Sequence, residues 1–169
     1  MTIDVPSLVM AAGGEVVGKI RLQKIVYLLD QIGLNSGFSY QYFHYGPYSA
    51  DLAEKVEDDV VFGQLQASQR RRVSDGVPYV AYSTTKSGDG DRLETHMPVT
   101  RIRAALDEMQ RQSATILELA ATIHWLAAVE YVPDWKAELV RRKGAKTRDG
   151  RDRKAFELLQ ALGLPPAVG

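Results

Sequence analysis

Apolar residues recur at three- and four-residue intervals along several stretches of the chain, and this spacing predicts amphipathic helices. The clearest stretch covers residues 19–32, and Gly33 follows it as a favourable helix C-terminus. The apolar face of this helix contains Leu22, Ile25, Val26, Leu29 and Ile32. Asp4 and Ser49 are suited to cap two further helices. The same period predicts helices at residues 99–110, 114–129, 135–142 and 152–162.

Two β-prone runs lie between these helical stretches, at about residues 64–73 and 77–84. The segment Ser74-Asp75-Gly76 joins them, and Asp-Gly between two β-prone runs predicts a hairpin. A second turn is predicted at Gly46-Pro47, because proline fixes φ and glycine accepts conformations that other residues avoid. Three helices followed by a hairpin is the element order of a winged helix.

The length of 169 residues suits one domain with a substantial core, so we expect a single domain covering residues 1–169. Its fold class is predicted to be mainly α with a small β-hairpin. A winged-helix-like part at about residues 4–85 is expected to pack against a helical part at about 99–164. Residues 87–91 (SGDGD) are predicted to form a flexible break between the two parts.

The composition excludes several classes of protein. No apolar run approaches the roughly 18 residues that a membrane span needs, so no membrane association is expected. The N-terminus lacks the basic region of a secretory signal, which favours a cytoplasmic location. The absence of cysteine excludes disulfides, thiol nucleophiles and zinc–thiolate sites.

The formal net charge is zero, but the two signs are segregated along the chain. Residues 51–59 contain five acidic residues and one basic residue, Lys55. Residues 136–154 contain nine basic and three acidic residues. Segregation of this kind influences association with other molecules more than it influences the fold.

Motifs for catalysis or metal binding are absent from the sequence. There is no nucleophile elbow, phosphate-binding glycine loop or helical zinc motif. His44 is expected to be a hydrogen-bonded loop residue, and His124, in an apolar helix, a core or interface residue. His96 has Asp89, Asp91 and Glu94 nearby in the sequence, which is weak support for a metal site. We therefore expect a protein that is not an enzyme and has no cofactor; a small hydrolase using His44 or His96 is the weak alternative.

Five segments occur in chain order: RLQKIVYLL, YGPYSADL, YSTTKSG, ELAATIHWLA and KAFELLQALGL. Together they resemble a known family, the SocA-like antitoxin or Panacea domain, and within it the YwgA-type branch, and the match spans residues 19–164. The chain has Tyr45-Gly46-Pro47 where the better-studied antitoxins have His-Gly-Pro. The resemblance implies a protein that binds proteins: antitoxins of this family neutralise toxins by direct contact, and SocA-like members can deliver the toxin to a protease.

A partner-binding site is predicted around the ring-rich loop, flanked by the helix at 19–32 and the acidic helix after Ser49. Tyrosine offers a large contact area and a polar tip at low entropic cost, which suits recognition. The predicted partner-binding residues are Arg21, Lys24, Tyr42, His44, Tyr45, Gly46, Pro47, Tyr48, Glu54 and Asp58. The partner is expected to be a protein, such as a toxin or a protease.

The same residues also permit a purely structural interpretation. The rings can fix one helix against the next, with Ser49 acting only as a cap. Arg21, Gln23 and Lys24 can form a solvated helix face with salt bridges to the helix at residues 51–59. The apolar positions of the C-terminal half could serve a homo-oligomer as well as a core.

Nucleic-acid binding is the alternative function. Arg70, Arg71 and Arg72 lie at the predicted wing, where a winged helix contacts backbone phosphates. A second basic group is formed by Lys143, Lys146, Arg148, Arg151, Arg153 and Lys154. The helix that would enter the major groove is acidic, and its carboxylates would repel phosphates. The sequence therefore favours backbone contact through the wing over base reading by that helix.

Overall fold

A computed structural model of the protein describes residues 1–84, 93 and 95–167. In the N-terminal half, the helices are α1 (Val5–Ala11), α2 (Lys19–Gln31) and α3 (Ala50–Val61). The strands are β1 (Glu15–Val17), β2 (Gln41–Phe43), β3 (Gly46–Tyr48), β4 (Leu65–Arg71) and β5 (Pro78–Thr84). The helices after these strands are α4 (Val99–Gln110), α5 (Ala114–His124), α6 (Trp135–Lys143) and α7 (Arg151–Ala161). The protein is thus mainly α with a small amount of antiparallel sheet, as predicted.

The helix starts follow from local capping. The Asp4 carboxylate accepts a hydrogen bond from the Ser7 backbone N–H, and the Ser49 hydroxyl accepts one from the Leu52 backbone N–H at 3.1 Å. Both contacts satisfy N–H groups that have no partner within the first helical turn. The two predicted caps are therefore confirmed.

Two separate sheets are present among the described residues. The larger has the strand order β1-β5-β4, with both pairs antiparallel. Strands β4 and β5 form the predicted hairpin, and Arg70 lies opposite Tyr79 near its turn. The smaller sheet is the hairpin of β2 and β3, in which Tyr42 lies opposite Pro47.

Helix α5 lies at the centre of the molecule and contacts α2, α6 and α7. Its residues from Ile116 to His124 are all buried. A helix that is buried on every side is stable only when other elements surround it, and α2, α6 and α7 surround α5 in this way. A five-residue π-helical segment, Trp125–Val129, continues it. The helix predicted at residues 114–129 is confirmed, although its last part has π-helical and not α-helical hydrogen bonding.

Two sequence-based expectations differ from the structure. Strand β1 was not expected, because three residues beside a glycine pair carry too short an apolar pattern to indicate a strand. The turn of the ring-rich segment was placed at Gly46-Pro47, but the turn residues are His44 and Tyr45, and Gly46-Pro47 belongs to β3. Proline is tolerated there because β3 has only one neighbouring strand.

The break predicted at residues 87–91 lies outside the described residues. Among the helices of the described ranges, none is long and apolar enough to cross a membrane.

Candidate functional site

The β2–β3 hairpin is seated so closely on α5 that one of its positions accepts only glycine. Gly46 has a φ of +89°, and a Cβ added there would lie 2.6 Å from the Thr122 hydroxyl oxygen. Thr122 is fully buried and its hydroxyl donates to the Glu118 carbonyl oxygen at 2.8 Å, so it cannot easily move. Both the backbone conformation and the lack of space therefore require glycine at this position.

Lys24, on α2, is buried beneath the hairpin with 1% of its surface exposed. Its ammonium group donates a hydrogen bond to the Pro47 carbonyl oxygen. Burial lowers the pKa of Lys24 to about 8, and the nearby Glu118 carboxylate acts in the opposite direction. The expected solvated helix face is therefore wrong at this position, because Lys24 points into the protein and holds the hairpin.

A buried carboxylate supplies the countercharge for this region. Glu118 is 2% exposed and forms ion pairs with Lys143 at 3.2 Å and Lys146 at 3.0 Å. Lys143 also donates to the His44 carbonyl oxygen at 3.1 Å, and its burial lowers its pKa. The hairpin is thus held through two backbone carbonyls by two lysines, and Glu118 neutralises part of their charge. We call Lys24, Glu118, Lys143 and Lys146 the lysine–glutamate cluster.

The end of the hairpin is fixed to the start of α3 by a buried amide. Gln23 is 5% exposed, and its side chain donates to the Ser49 carbonyl oxygen and accepts from the Ser49 N–H, both at 2.9 Å. Gln23 was expected on a solvated face, and this expectation is also wrong. The two contacts set the position of α3 relative to α2.

The rings of the hairpin divide into supporting and exposed ones. The Arg142 guanidinium lies 4.8 Å from the centre of the Tyr42 ring, and Tyr48 packs edge-on against Phe43 at 5.5 Å. Phe43 and Tyr45 remain 48% and 51% exposed, and Lys146 lies 4.9 Å from the Tyr45 ring. Two aromatic side chains next to the turn therefore face solvent while their backbone is held from below.

The outer face of α3 is acidic. Its exposed carboxylates belong to Asp51, Glu54, Glu57 and Asp58. Asp59 does not belong to this face: it is 4% exposed and forms an ion pair with Lys55. The expected negative surface is present, with one carboxylate fewer than the sequence indicated.

A cleft of about 140 Å³ lies between α2, the hairpin and α3. Tyr45 and Tyr48 line its hairpin side, Lys19 and Lys24 its α2 side, and Glu57 its α3 side. Predicted partner-binding residues from two elements, Lys24 on α2 and Tyr45 and Tyr48 on the hairpin, therefore meet at one opening. The predicted α3 residues Glu54 and Asp58 do not line it. Neither does Arg21, whose guanidinium donates to the carbonyl oxygens of Val17 and Gln112.

The arginines of the β4–β5 hairpin lie on the surface and contact nearby groups. Arg70 forms a bidentate pair with Glu15 at 2.9 and 3.1 Å, and Arg72 pairs with Asp75. Arg71 donates to the Gly76 carbonyl oxygen at 3.0 Å. Because exposed ion pairs of this kind are weak, these contacts leave the arginines available to a phosphate backbone.

The second basic group predicted from the sequence does not form one surface. Lys143 and Lys146 pair with Glu118 in the lysine–glutamate cluster, and Lys143 is buried. Arg151 donates to the carbonyl oxygens of Lys146 and Ala145. Arg153 pairs with Glu157, while Arg148 and Lys154 are exposed. Lys143 in particular was wrongly placed on a nucleic-acid surface, because its ammonium group points inward to a carboxylate.

The histidines occupy different environments. His124 is 4% exposed, its Nδ1 lies 2.7 Å from the Tyr27 hydroxyl, and burial lowers its pKa to about 4. It is a core residue, which is one of the two environments, core or interface, expected for it from the sequence. His44 and His96 are exposed. Asp89, Asp91 and Glu94 lie outside the described residues. Among the residues that the structure does describe, no group of three or more ligating side chains could hold a metal ion.

Glu118 and Thr122 are two supporting residues of this region that were missed from the sequence, and Phe43 and Glu57 were not among the predicted partner-binding residues. Glu118 is the only charged residue in the stretch ATILELAATI, and a lone carboxylate in an apolar helix indicates a buried ion pair. This signal was present, but its lysine partners are 25 or more positions away, so their identity required the fold. Thr122 offers no comparable signal.

The structure thus defines a class: a mainly helical protein with a buttressed aromatic hairpin beside an acidic helix. No model of a known protein family matches the chain. It is similar to the uncharacterized protein YwgA of Bacillus subtilis (strain 168), with 27% identity over 124 residues, which cover 72% of each chain. This finding supports the YwgA-like resemblance.

Proposed function

We propose that this protein is a protein-interaction module and not an enzyme, and that it binds its partner through the hairpin and α3. The observation that carries the proposal is the pair of exposed rings, Phe43 and Tyr45, on a backbone held by the lysine–glutamate cluster. Aromatic side chains presented on a rigid support lose little entropy on binding and are enriched among the residues that dominate binding energy.

The charge of α3 indicates the chemistry of the partner. Asp51, Glu54, Glu57 and Asp58 form an exposed negative face next to the hairpin. Complementary charge speeds association and improves specificity, while apolar anchors supply most of the affinity. We therefore propose a partner with a basic surface around an apolar contact.

The resemblance to SocA-like antitoxins suggests the biological setting. We propose that the partner is a toxin that the protein sequesters, or that it delivers to a protease. A toxin that binds nucleic acid has a basic surface of the kind that the acidic face of α3 would complement. The similarity to YwgA is compatible with this proposal but does not name a partner.

Affinity purification of the tagged protein from its host, with and without nuclease, tests the proposal. We expect one dominant partner that resists nuclease treatment and is recovered near equal stoichiometry. Its affinity for the double variant Tyr45→Ala/Asp58→Lys should fall at least about tenfold, since each change removes a contact of the proposed surface.

The matched control is Tyr131→Ala/Asp107→Lys, which also removes one exposed ring and reverses one exposed carboxylate, but away from the hairpin and α3. This variant should bind as the natural chain does. Equal affinities of the two double variants would rule out the proposed surface. Circular dichroism checks that both variants are folded.

A second candidate function is binding to the nucleic-acid backbone through the wing. The observation in its favour is the element order α1-β1-α2-β2-β3-α3-β4-β5 with the sheet order β1-β5-β4, which is compatible with a winged helix that carries an additional hairpin between α2 and α3. Arg70, Arg71 and Arg72 are exposed on the wing. Partners that disappear after nuclease treatment in the same purification would favour this candidate over the first.

A further inference from the structure

Two buried polar side chains that line the cleft below Tyr45 and Tyr48, those of Lys24 and Gln23, are already engaged within the protein. The Lys24 ammonium donates to the Pro47 carbonyl oxygen, and the Gln23 amide makes two hydrogen bonds with the Ser49 backbone. The surface that a bound group would contact consists of their hydrocarbon stems and of apolar side chains such as Leu52 and Val56. The interior of the cleft is therefore suited to an apolar group.

The rim of the cleft carries charge of opposite sign on its two sides. Glu57 lies on the α3 side and belongs to the exposed acidic face, whereas Lys19 lies on the α2 side at the start of its helix. A cationic group next to an apolar guest would be attracted to α3 and repelled by Lys19. The rim therefore favours one orientation of the guest.

The volume sets the size of the guest. An apolar cavity of about 150 Å³ accommodates a benzene ring, and this cleft measures about 140 Å³. One aromatic side chain fills such a space.

We propose that the cleft is a specificity pocket for one aromatic side chain of the partner, and that a lysine or arginine beside it contacts Glu57. This inference rests on the proposed function, because it names the partner chemistry that the same surface would select. The aromatic side chain supplies the apolar contact, and the neighbouring cation supplies the orientation.

Binding of phenethylammonium, followed by amide chemical shifts in NMR spectra, tests the pocket without any protein partner. This probe joins a phenyl ring to an ammonium group, and phenylacetate is the matched probe of opposite charge. We expect phenethylammonium to shift the amides of Ala53, Val56 and Glu57 at least about threefold more strongly than phenylacetate at equal concentration.

Three variants locate the binding. Ala53→Met places a larger side chain in the cleft and should weaken phenethylammonium binding at least about tenfold, because the space for the ring is filled. Glu57→Gln should remove the preference for the cationic probe. Glu54→Gln is the control: it also removes one exposed carboxylate of α3, but Glu54 does not line the cleft, so binding should be unchanged.

The outcomes separate this inference from the proposed function. Absence of cleft shifts, or equal effects of Glu57→Gln and Glu54→Gln, would overturn the pocket. If the Tyr45→Ala/Asp58→Lys variant still loses its partner in that case, the interaction surface stands and only the pocket fails. Loss of cleft binding in Ala53→Met together with loss of the partner would support both.

Discussion

Gly46 shows how much a single position constrains the proposed binding surface. Its φ of +89° is unfavourable for any residue with a Cβ, and the space a Cβ would take is occupied by the Thr122 hydroxyl. The constraint comes from two independent sources, so relieving one leaves the other in place. The hairpin therefore lies against α5 in one way only.

Gly46→Ala is predicted to be strongly destabilising. The positive φ costs about 1–3 kcal/mol and the contact with Thr122 adds a similar amount, because the buried hydroxyl has nowhere to move. Urea unfolding at neutral pH measures the loss. Gly14→Ala is the control, since Gly14 has a φ of +94° with nothing within 4 Å of an added Cβ, so it reports the backbone cost alone.

A companion variant isolates the contact itself. Adding Thr122→Ala to Gly46→Ala removes the hydroxyl and should recover part of the lost stability. If Gly46→Ala and Gly14→Ala unfold at the same urea concentration, the close approach of hairpin and α5 is refuted.

Among the elements, the β2–β3 hairpin depends most on others, because it has three residues in each strand. A two-stranded hairpin of this size is not stable in water on its own. The lysine–glutamate cluster and the Gln23–Ser49 contacts supply the stability that the two short strands lack. The hairpin is held by α2, α5 and α6 and not by its own pairing.

Glu118→Gln is predicted to weaken this attachment. Removing the carboxylate leaves the buried Lys143 without its countercharge, which costs roughly 3 kcal/mol of unfolding free energy. Urea unfolding measures the loss, and amide shifts of His44 and Tyr45 report whether the hairpin has moved. Glu157→Gln breaks the exposed pair with Arg153 and should leave both measurements almost unchanged. Similar losses in the two variants would contradict a structural role for the cluster.

The elements were predictable where local sequence decides them. The predicted helices are present within about a residue or two of their expected ends, because each carries a regular apolar face and, except for α4, a cap or glycine at its boundary. The hairpin turn was misplaced since Gly46 serves a close contact with Thr122, which lies 76 positions further along the chain. Lys24 was misassigned for the same reason, as its acceptor belongs to another element.

At the scale of the whole molecule, the two halves share one core. Helix α5 packs against α2 from the first half and against α7 from the second. Leu117 and Ile123 on α5 are fully buried, as are Ile25 and Leu28 on α2. Removing either half would expose these apolar surfaces to water, so residues 1–84 should depend on the helices that follow them.

Residues 1–84 expressed alone are predicted not to fold. The fragment would expose the face of α2 that α5 covers and would lose every carboxylate and lysine that the C-terminal half contributes to the cluster. Thermal unfolding followed by circular dichroism should show no cooperative transition, in contrast to the full chain. A sharp transition and dispersed amide resonances in the fragment would instead show two independent domains.

The candidate site could be predicted from the sequence in its parts but not in its assembly. The aromatic loop and the acidic helix were identified because each is a local run of one residue type. That Tyr45, Lys24 and Glu57 line a single cleft depends on how three elements pack, which no local pattern encodes. The absence of Arg21 from this cleft and the burial of Lys143 follow from the same packing.

The turn of the β2–β3 hairpin separates what the fold needs from what a partner would touch. His44 contributes its carbonyl oxygen to Lys143, and any residue has a carbonyl. The side chains of His44 and Tyr45 are exposed, while Gly46, Lys24 and Glu118 hold the backbone beneath them. These two positions can therefore be exchanged without refolding the support. Natural variation at these two positions can redirect such a module to a new target while its scaffold stays the same. A library of variants at the same two codons can do so in the laboratory.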